Sequence, residues 1–368
     1  MKKQVWFWQL IVSPHMVYLA QKLASKGVEV HFVARNKIST HRKKLGWVIE
    51  EIKDIQIHIL EDDEDFHKLL NLSDKDAIHI CQGLRNNGYI GNLLKIFNIN
   101  KQKFWVILET IDPRGVRGGL RKIIYRYIYY KYKKNIMGFL TIGYKLPAWL
   151  KDIGVSKNII YPFSYFLNES KIINNLKDEN KVRFIFVGNF IPRKQPDIIF
   201  KAINSLDQKQ KKDCEIWMLG SGIMEDSLKK YLVNKNINVR WLGVVNIKGV
   251  RKYISESDYL LLPSNHDGWG AVVSEALIEG TPVICTNSCG SAGIVKASGY
   301  GATFEYNDLK TFTEILKKVI NEGQFDREER KKLKEWAFDL TVDFGADYLY
   351  SLLFLEANKL KPKWIELS

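Results

Sequence analysis

The stretch Asn265-His266-Asp267-Gly268-Trp269-Gly270-Ala271-Val272-Val273-Ser274-Glu275-Ala276-Leu277 follows the apolar run Tyr259–Pro263. Together they read as a buried strand, a loop and a helix. The run is apolar without alternation, which marks a strand covered on both faces and hence a parallel sheet. Gly268 and Gly270 let the loop backbone approach a ligand closely. The helix opens at Ala271 and is closed by Gly280. Its free amides at Gly270–Val272 would face an anion. Asp267 and Glu275 lie eight residues apart, one in the loop and one on the helix. Carboxylates so placed accept hydrogen bonds from sugar and ribose hydroxyls in fixed directions. A helix-capping Asp and a solvated helix Glu would leave the same spacing.

Outward from this stretch, short β-branched and aromatic runs alternate with helical patterns. Strands are expected at Val5–Ile11, Val28–Ala34, Ile55–Leu60, Ala77–Cys81, Phe104–Leu108 and Gly138–Ile142. A second series covers Arg183–Val187, Cys214–Leu219, Asn238–Leu242, Tyr259–Pro263, Pro282–Cys285 and Ala302–Glu305. Alternation of this kind predicts α/β architecture with parallel sheets covered on both faces. Two series predict two doubly wound Rossmann-like domains, 1–165 and 166–345, with a final helix over 346–360 returning to the first. The first helix has a marked start, with Ser13 at the N-cap and Pro14 at the first helical position.

The 368 residues exceed what one core usually supports, and 46% apolar with 26% charged residues excludes a disordered, collagen-like or coiled-coil chain. No run is apolar enough to span a bilayer, and no signal peptide is expected. Cys81, Cys214, Cys285 and Cys289 lack metal-ligand spacing and suit a reducing cytoplasm. The net charge of +15 is concentrated: between Asp112 and Asp152 there are ten Lys or Arg and no acid. This favours a localised anionic partner.

A second strand-turn unit, Phe184-Ile185-Phe186-Val187-Gly188-Asn189-Phe190-Ile191-Pro192-Arg193-Lys194, places a basic pair where a diphosphate would be neutralised. A solvated basic loop is the alternative. Leu219-Gly220-Ser221-Gly222 ends the next strand. Then come Trp241-Leu242-Gly243, the Asp267–Glu275 segment and Gly280-Thr281-Pro282-Val283-Ile284. In this order the set resembles the C-terminal half of family 4 glycosyltransferases, which have the GT-B fold. The resemblance implies two domains facing across a cleft and a retaining transferase that uses a nucleotide-sugar donor without a metal or other cofactor. It implies catalytic roles for Asp267, Glu275 and Lys194. The donor would be bound by Gly188, Asn189, Arg193, Lys194, Gly220, Ser221, Gly243, Val244, Gly268, Trp269, Gly270, Ala271, Val272 and Glu275. The family's Glu-x7-Glu pattern falls on Asp267 and Glu275, and its basic pair on Asn189 and Lys194. Arg193 is expected to replace the charge missing at Asn189.

The first half resembles the family more loosely. His15, Gln82, Gly83, Glu109 and Asp112 are the expected acceptor-side residues. His79, on an alternating strand, reads as a core histidine. Glu61-Asp62-Asp63-Glu64-Asp65 reads as a solvated acidic loop rather than a metal site. Arg114–Lys134 has apolar residues at Leu120, Ile123, Ile124, Tyr127 and Ile128, an amphipathic helical spacing among basic residues. It reads as an interfacial helix for an anionic membrane surface. An ordinary helix with its apolar face in the core is the alternative, and nucleic acid is not expected to bind. The whole predicts a cytoplasmic hexosyl- or N-acetylhexosaminyltransferase, peripheral on the inner face of the cell membrane. It would move a sugar, UDP-linked by expectation, to a polyprenyl-diphosphate-linked or other glycan acceptor in lipopolysaccharide, O-antigen or capsule synthesis. A nucleotide-sugar epimerase on the same fold and a non-catalytic glycan- or lipid-binding subunit are the alternatives.

Overall fold

The computed structural model describes residues 3–37, 52–62, 64–85, 87–169, 181–355 and 360–364. Their chain falls into two compact units. The first runs to residue 168 and resumes at 340, and the second spans 169–339.

The first unit is built on seven parallel strands: β1 (Gln4–Ile11), β2 (Glu29–Asn36), β3 (Gln56–Ile59), β4 (Ile78–Gln82), β5 (Phe104–Glu109), β6 (Ile136–Ile142) and β7 (Ile160–Phe163). Their order is β3-β2-β1-β4-β5-β6-β7. β1 lies inside the sheet, with Phe7 opposite Phe32 on one side and Ile80 on the other. Its residues Val5 to Trp8 are buried on both faces, which is why they read as an unbroken apolar run. Such burial obliges each indole N–H to find an acceptor. Trp6 Nε1 donates to Gln4 Oε1 at 2.8 Å, and Trp8 Nε1 to His79 Nδ1 at 3.1 Å. His79 is therefore a core histidine, and burial lowers its pKa to about 4. β7 is absent from the expected strands. Its Pro162 cannot donate to a ladder and is tolerated because β7 is a four-residue edge strand.

The second unit holds β8 (Val182–Val187), β9 (Cys214–Leu219), β10 (Val239–Gly243), β11 (Tyr259–Leu262), β12 (Val283–Thr286) and β13 (Gly301–Phe304). They form a parallel six-stranded sheet in the order β10-β9-β8-β11-β12-β13. Behind β11 a buried ion pair fixes the layer. Arg330 Nη2 donates to Asp258 Oδ1 at 3.0 Å and to the Ser257 carbonyl at 2.8 Å, while the Arg183 amide donates to Asp258 Oδ2 at 2.8 Å.

The expected α/β class with two doubly wound sheets is what the structure has. Strand order reverses between β1 and β4 in the first unit, and between β8 and β11 in the second. Loops diverge at such switch points and leave a crevice at the carboxyl ends of the strands, where ligands bind in sheets of this type.

Two local expectations change. Ser13 precedes the Pro14–Ala24 helix, but its hydroxyl makes no capping bond; its carbonyl takes the Met16 and Val17 amides instead. The chain rejoins the first unit at Leu340 rather than at 346. There Leu167 and Val342 exchange backbone bonds with Leu340 and Leu167, at 3.0 and 2.8 Å. The last helix is Val342–Phe354; residues 356–359 of the expected span lie outside the described residues. It packs on the Pro14–Ala24 helix, with ion pairs Lys22–Asp343 and Lys26–Asp347.

Candidate active site

The second unit's switch point gathers part of the set expected to hold the donor: Gly188, Arg193, Lys194, Asp267, Gly268 and Gly270. After β8 the chain turns through Gly188 into a short 3-10 turn, Pro192–Lys194. Gln195 then adopts φ 49°, ψ 48° before Pro196 starts a helix. A residue ahead of proline is excluded from the right-handed helical region. This break in the helical path lets Lys194 lie along Gly188 instead of continuing a helix. After β11, Asp267 is fixed by its backbone: its carbonyl takes the Gly290 amide at 2.9 Å, and its amide donates to the Ser288 carbonyl at 3.4 Å. The two loops are stitched together. The Asn265 amide donates to the Arg193 carbonyl at 2.9 Å, and Arg193 Nη1 to the His266 carbonyl at 2.7 Å.

Lys194 Nζ pairs directly with Asp267 Oδ2, both mostly buried, and Arg193 Nη1 lies 3.7 Å from Asp267 Oδ1. The three groups carry one net positive charge. They meet at the start of the Ala271–Ile278 helix, whose N-cap Gly270 sits at φ 84°, ψ 65°. A side chain is strained in that conformation, and a Cβ there would come within 3.0 Å of Leu262. No side chain caps this end. Gly268, Ala271 and Val272 flank it and are half-buried. The site therefore offers two cations, one carboxylate and the positive end of a helix, a set suited to a diphosphate next to hydroxyls.

Glu275 lies on the same helix, half-buried, and no hydrogen bond to its carboxyl occurs within the described residues. Burial raises its pKa to about 7, opposed by Arg251 and reinforced by Glu279. Arg251 is committed elsewhere: its Nε donates to the fully buried Glu279 at 2.5 Å. This pair, which fixes the helix against Ile247–Ser255, was not foreseen; its partners are 28 residues apart and share no local pattern.

Other expected donor residues land differently. Trp269 is turned inward, with its Nε1 donating to Ser274 Oγ at 3.0 Å. Its buried side chain is a structural anchor. Gly220 is a packing residue: a Cβ there would lie 2.0 Å from the Gly188 carbonyl. Ser221 accepts the Phe190 amide at 2.8 Å, so this turn braces the Gly188–Phe190 loop. Asn189 is half-buried in that loop. Gly243 and Val244 end β10 at the sheet edge, two strands from the switch point; Gly243 accepts the Gly220 amide at 2.8 Å.

In the first unit a cavity of about 360 Å³ opens at its own switch point, between the ends of β1, β4 and β5. Gln82, Gly83 and Glu109, three of the residues expected on the acceptor side, line it. Gln82 Oε1 accepts the Leu10 amide at 2.9 Å, and Glu109 accepts from the Tyr165 hydroxyl. Asp112 does not reach it. It holds Arg114 through two bonds of 2.8 and 2.9 Å, a loop carboxylate balancing its neighbour. His15 packs on Tyr165 at 5.3 Å between ring centres, and its neighbour Met16 lines the cavity instead. Among the acidic residues 61–65, Asp65 accepts the Asp62 amide and pairs with exposed Lys68; Asp63 lies outside the described residues.

The basic segment forms the Gly115–Tyr132 helix. Its core face is made of Tyr125, Tyr129 and Tyr132. The opposite face exposes apolar side chains in a stripe: Val116 (91%), Leu120 (57%), Ile123 (68%) and Tyr127 (70%). Ile124 and Ile128 are half-buried. Of the expected apolar face, Leu120, Ile123 and Tyr127 therefore stay outside the core, and only its Ile128 edge packs against it. Exposed Arg117, Lys122 and Arg126 accompany the stripe. Among the described residues, no helix is long and apolar enough to cross a membrane.

Residues 168–339 match the family described as Glycosyl transferases group 1. An uncharacterised glycosyltransferase of Methanocaldococcus jannaschii is 27% identical over 326 residues, 81% of this chain and 88% of its own. The UDP-Gal:alpha-D-GlcNAc-diphosphoundecaprenol alpha-1,3-galactosyltransferase of Escherichia coli is 27% identical over 145 residues, 39% of this chain and 38% of its own. Among solved structures, the lipopolysaccharide outer core galactosyltransferase WaaB in its apo form aligns over 96% of this chain and 100% of its own, with a TM-score of 0.71 at 16% identity. The family match thus covers the second unit, and the two doubly wound sheets give the chain the fold of the GT-B glycosyltransferases.

Proposed function

We propose that the chain transfers a sugar from UDP-sugar to a lipid-linked glycan, with retention, at a membrane surface during cell-surface polysaccharide assembly. The observation that carries this is the convergence of Lys194, Arg193 and Asp267 on the uncapped start of the Ala271–Ile278 helix. A diphosphate entering there competes with Asp267 for the two cations. The released carboxylate then accepts hydrogen bonds from the sugar hydroxyls, and Glu275 accepts them from the ribose. As the bond from the anomeric carbon to the phosphate oxygen breaks, charge grows on the diphosphate, and Lys194, Arg193 and the helix amides stabilise it. The acceptor oxygen bonds to the anomeric carbon on the same face, and its proton passes to the departing phosphate oxygen. No protein base is required.

The activity of the Escherichia coli relative, a galactosyl transfer from UDP-Gal to GlcNAc-diphosphoundecaprenol, supports a UDP donor and a lipid diphosphate acceptor. The exposed apolar stripe among basic residues supports a peripheral site at an anionic membrane surface, by this reading the inner face of the cell membrane. That stripe also favours a transferase over an epimerase, which needs no lipid. The test is a melting-temperature panel of nucleotides and UDP-sugars with wild type and Lys194→Met. Binding at 100 times Kd adds about 2.7 kcal/mol of stability. A UDP-dependent rise in wild type that Lys194→Met abolishes supports the reading, and no rise with any nucleotide refutes it.

A further inference from the structure

The cavity at the end of β1, β4 and β5 contains a group that the expected acceptor residues do not explain. Gln9 lines it, is only 3% exposed, and its side-chain Nε2 is buried with no hydrogen-bond partner among the described residues. Its backbone carbonyl is engaged, accepting from the Tyr89 hydroxyl at 2.9 Å, so the residue is rigidly placed while its amide is left over. A buried amide without a partner lowers stability unless a ligand completes it. The wall beside it is apolar, formed by Met16, Ile107 and Ile111. Toward the rim stand Glu109, oriented by Tyr165, and the exposed Arg85. Arg85 and Arg121 both act electrostatically on the Tyr125 hydroxyl, so cationic charge gathers at this end. A volume of about 360 Å³ is near the lower end for ligand pockets, which suits one sugar ring with its substituents.

We infer that this cavity selects a 2-acetamido sugar carried on a phosphate or diphosphate. An acetamido group combines what the wall asks for: a carbonyl to accept from Gln9 Nε2 and a methyl to lie on Met16 and Ile107. A sugar with a plain 2-hydroxyl offers the first in weaker form and the second not at all. Rotation about the last side-chain bond of Gln9, a soft torsion, turns Nε2 to the ligand. A ring hydroxyl donates to Glu109, and the phosphate faces Arg85. Gln9 is thereby a specificity-determining residue. The inference deepens the transferase reading and takes from it only that the occupant is the acceptor.

The experiment titrates the full chain with N-acetylglucosamine 1-phosphate and N-acetylgalactosamine 1-phosphate, against glucose 1-phosphate and galactose 1-phosphate. At least one acetamido sugar is expected to bind about 10-fold or more tightly than its hydroxyl counterpart. In saturation-transfer NMR its acetyl methyl should receive the strongest signal. Gln9→Met keeps the volume but removes the donor. It should erase most of the preference while melting no lower than wild type, because no internal hydrogen bond is lost. A merely structural Gln9 would show the reverse, lower melting with preference intact. Glu109→Gln, at the rim, should weaken all four ligands alike. Equal wild-type affinities, or a preference that survives Gln9→Met, would overturn the inference. The UDP-dependent melting shift reports the second unit separately. Preference without that shift leaves the subsite standing and removes the transferase reading, and a shift without preference does the opposite.

Discussion

Glu275→Gln should make the protein more stable and less active, by amounts set by how the helix buries this carboxyl. Its pKa rises from the ordinary 4.5 to about 7, with burial as the main cause. At about 1.4 kcal/mol per pH unit the gap corresponds to roughly 3 kcal/mol, which partial exposure reduces to about 1–3 kcal/mol. The sign follows from proton uptake. Between pH 4.5 and 7 the folded state holds a proton that the unfolded state has lost. Stability contributed by this group is therefore present at low pH and lost as pH rises through about 7. Glutamine has no charge to desolvate and escapes this loss. At pH 8 the variant should gain about 1–3 kcal/mol, and at pH 5 less than about 1 kcal/mol. With roughly 2–4 °C per kcal/mol for a domain of this size, calorimetry should show a rise of several degrees at pH 8 that shrinks at pH 5. Transfer activity should fall by about 10- to 100-fold, since hydrogen bonds to a charged acceptor contribute about 1.5–3 kcal/mol. A variant that melts lower than wild type at pH 8, or whose advantage is independent of pH, would refute the electrostatic reasoning. Full activity would refute the role in donor binding.

The remaining expectations concern other parts of the molecule. Asp258→Ala leaves the buried Arg330 guanidinium without its carboxylate and should cost about 3–5 kcal/mol in chemical denaturation, whereas an effect under about 1 kcal/mol would contradict the buried-pair assignment. Arg193→Ala should weaken UDP binding by titration about 3- to 10-fold, less than Lys194→Met, because Arg193 is the more exposed cation and the more distant from Asp267. Replacing Val116, Leu120, Ile123 and Tyr127 together by Ser should abolish sedimentation with anionic liposomes at physiological salt and leave melting unchanged, since none of the four contributes to the core. Retained sedimentation would place any lipid contact elsewhere.

The parallel strands were legible because burial on both faces leaves little room for polar residues, and β1, β8 and β11 announce themselves by composition alone. β7 did not, since an edge strand tolerates a proline and needs no long apolar run. The Asp267 and Lys194 sites were legible because fold class fixes where strand ends lie, and both residues flank strands that neighbour each other. The exposed side of the Gly115–Tyr132 helix was legible from the spacing of Leu120, Ile123 and Tyr127, but the face it buries was not. That face is made of Tyr125, Tyr129 and Tyr132, whose hydroxyls give no hydropathy signal of a core. Ring edges at Trp149 and Phe139, which receive Tyr125 and Tyr129, decide this at long range. The inward turn of Trp269 was not legible either, since its partner Ser274 lies five residues on and forms no motif with it. Gln9 drew no notice because a lone amide in an apolar strand has no motif. Only the cavity beside it gives it meaning.

The return of the chain to the first unit at Leu340 has a consequence for biosynthesis. The Val342–Phe354 helix covers the Pro14–Ala24 helix, so the earliest-made helix waits for one of the last. While the ribosome is still translating, the first unit keeps that flank uncovered, whereas residues 169–339 form an uninterrupted segment that can complete its sheet beforehand. Nascent chains halted near residue 330 should then recruit chaperones through the bare flank, and release of the finished polypeptide should end that engagement.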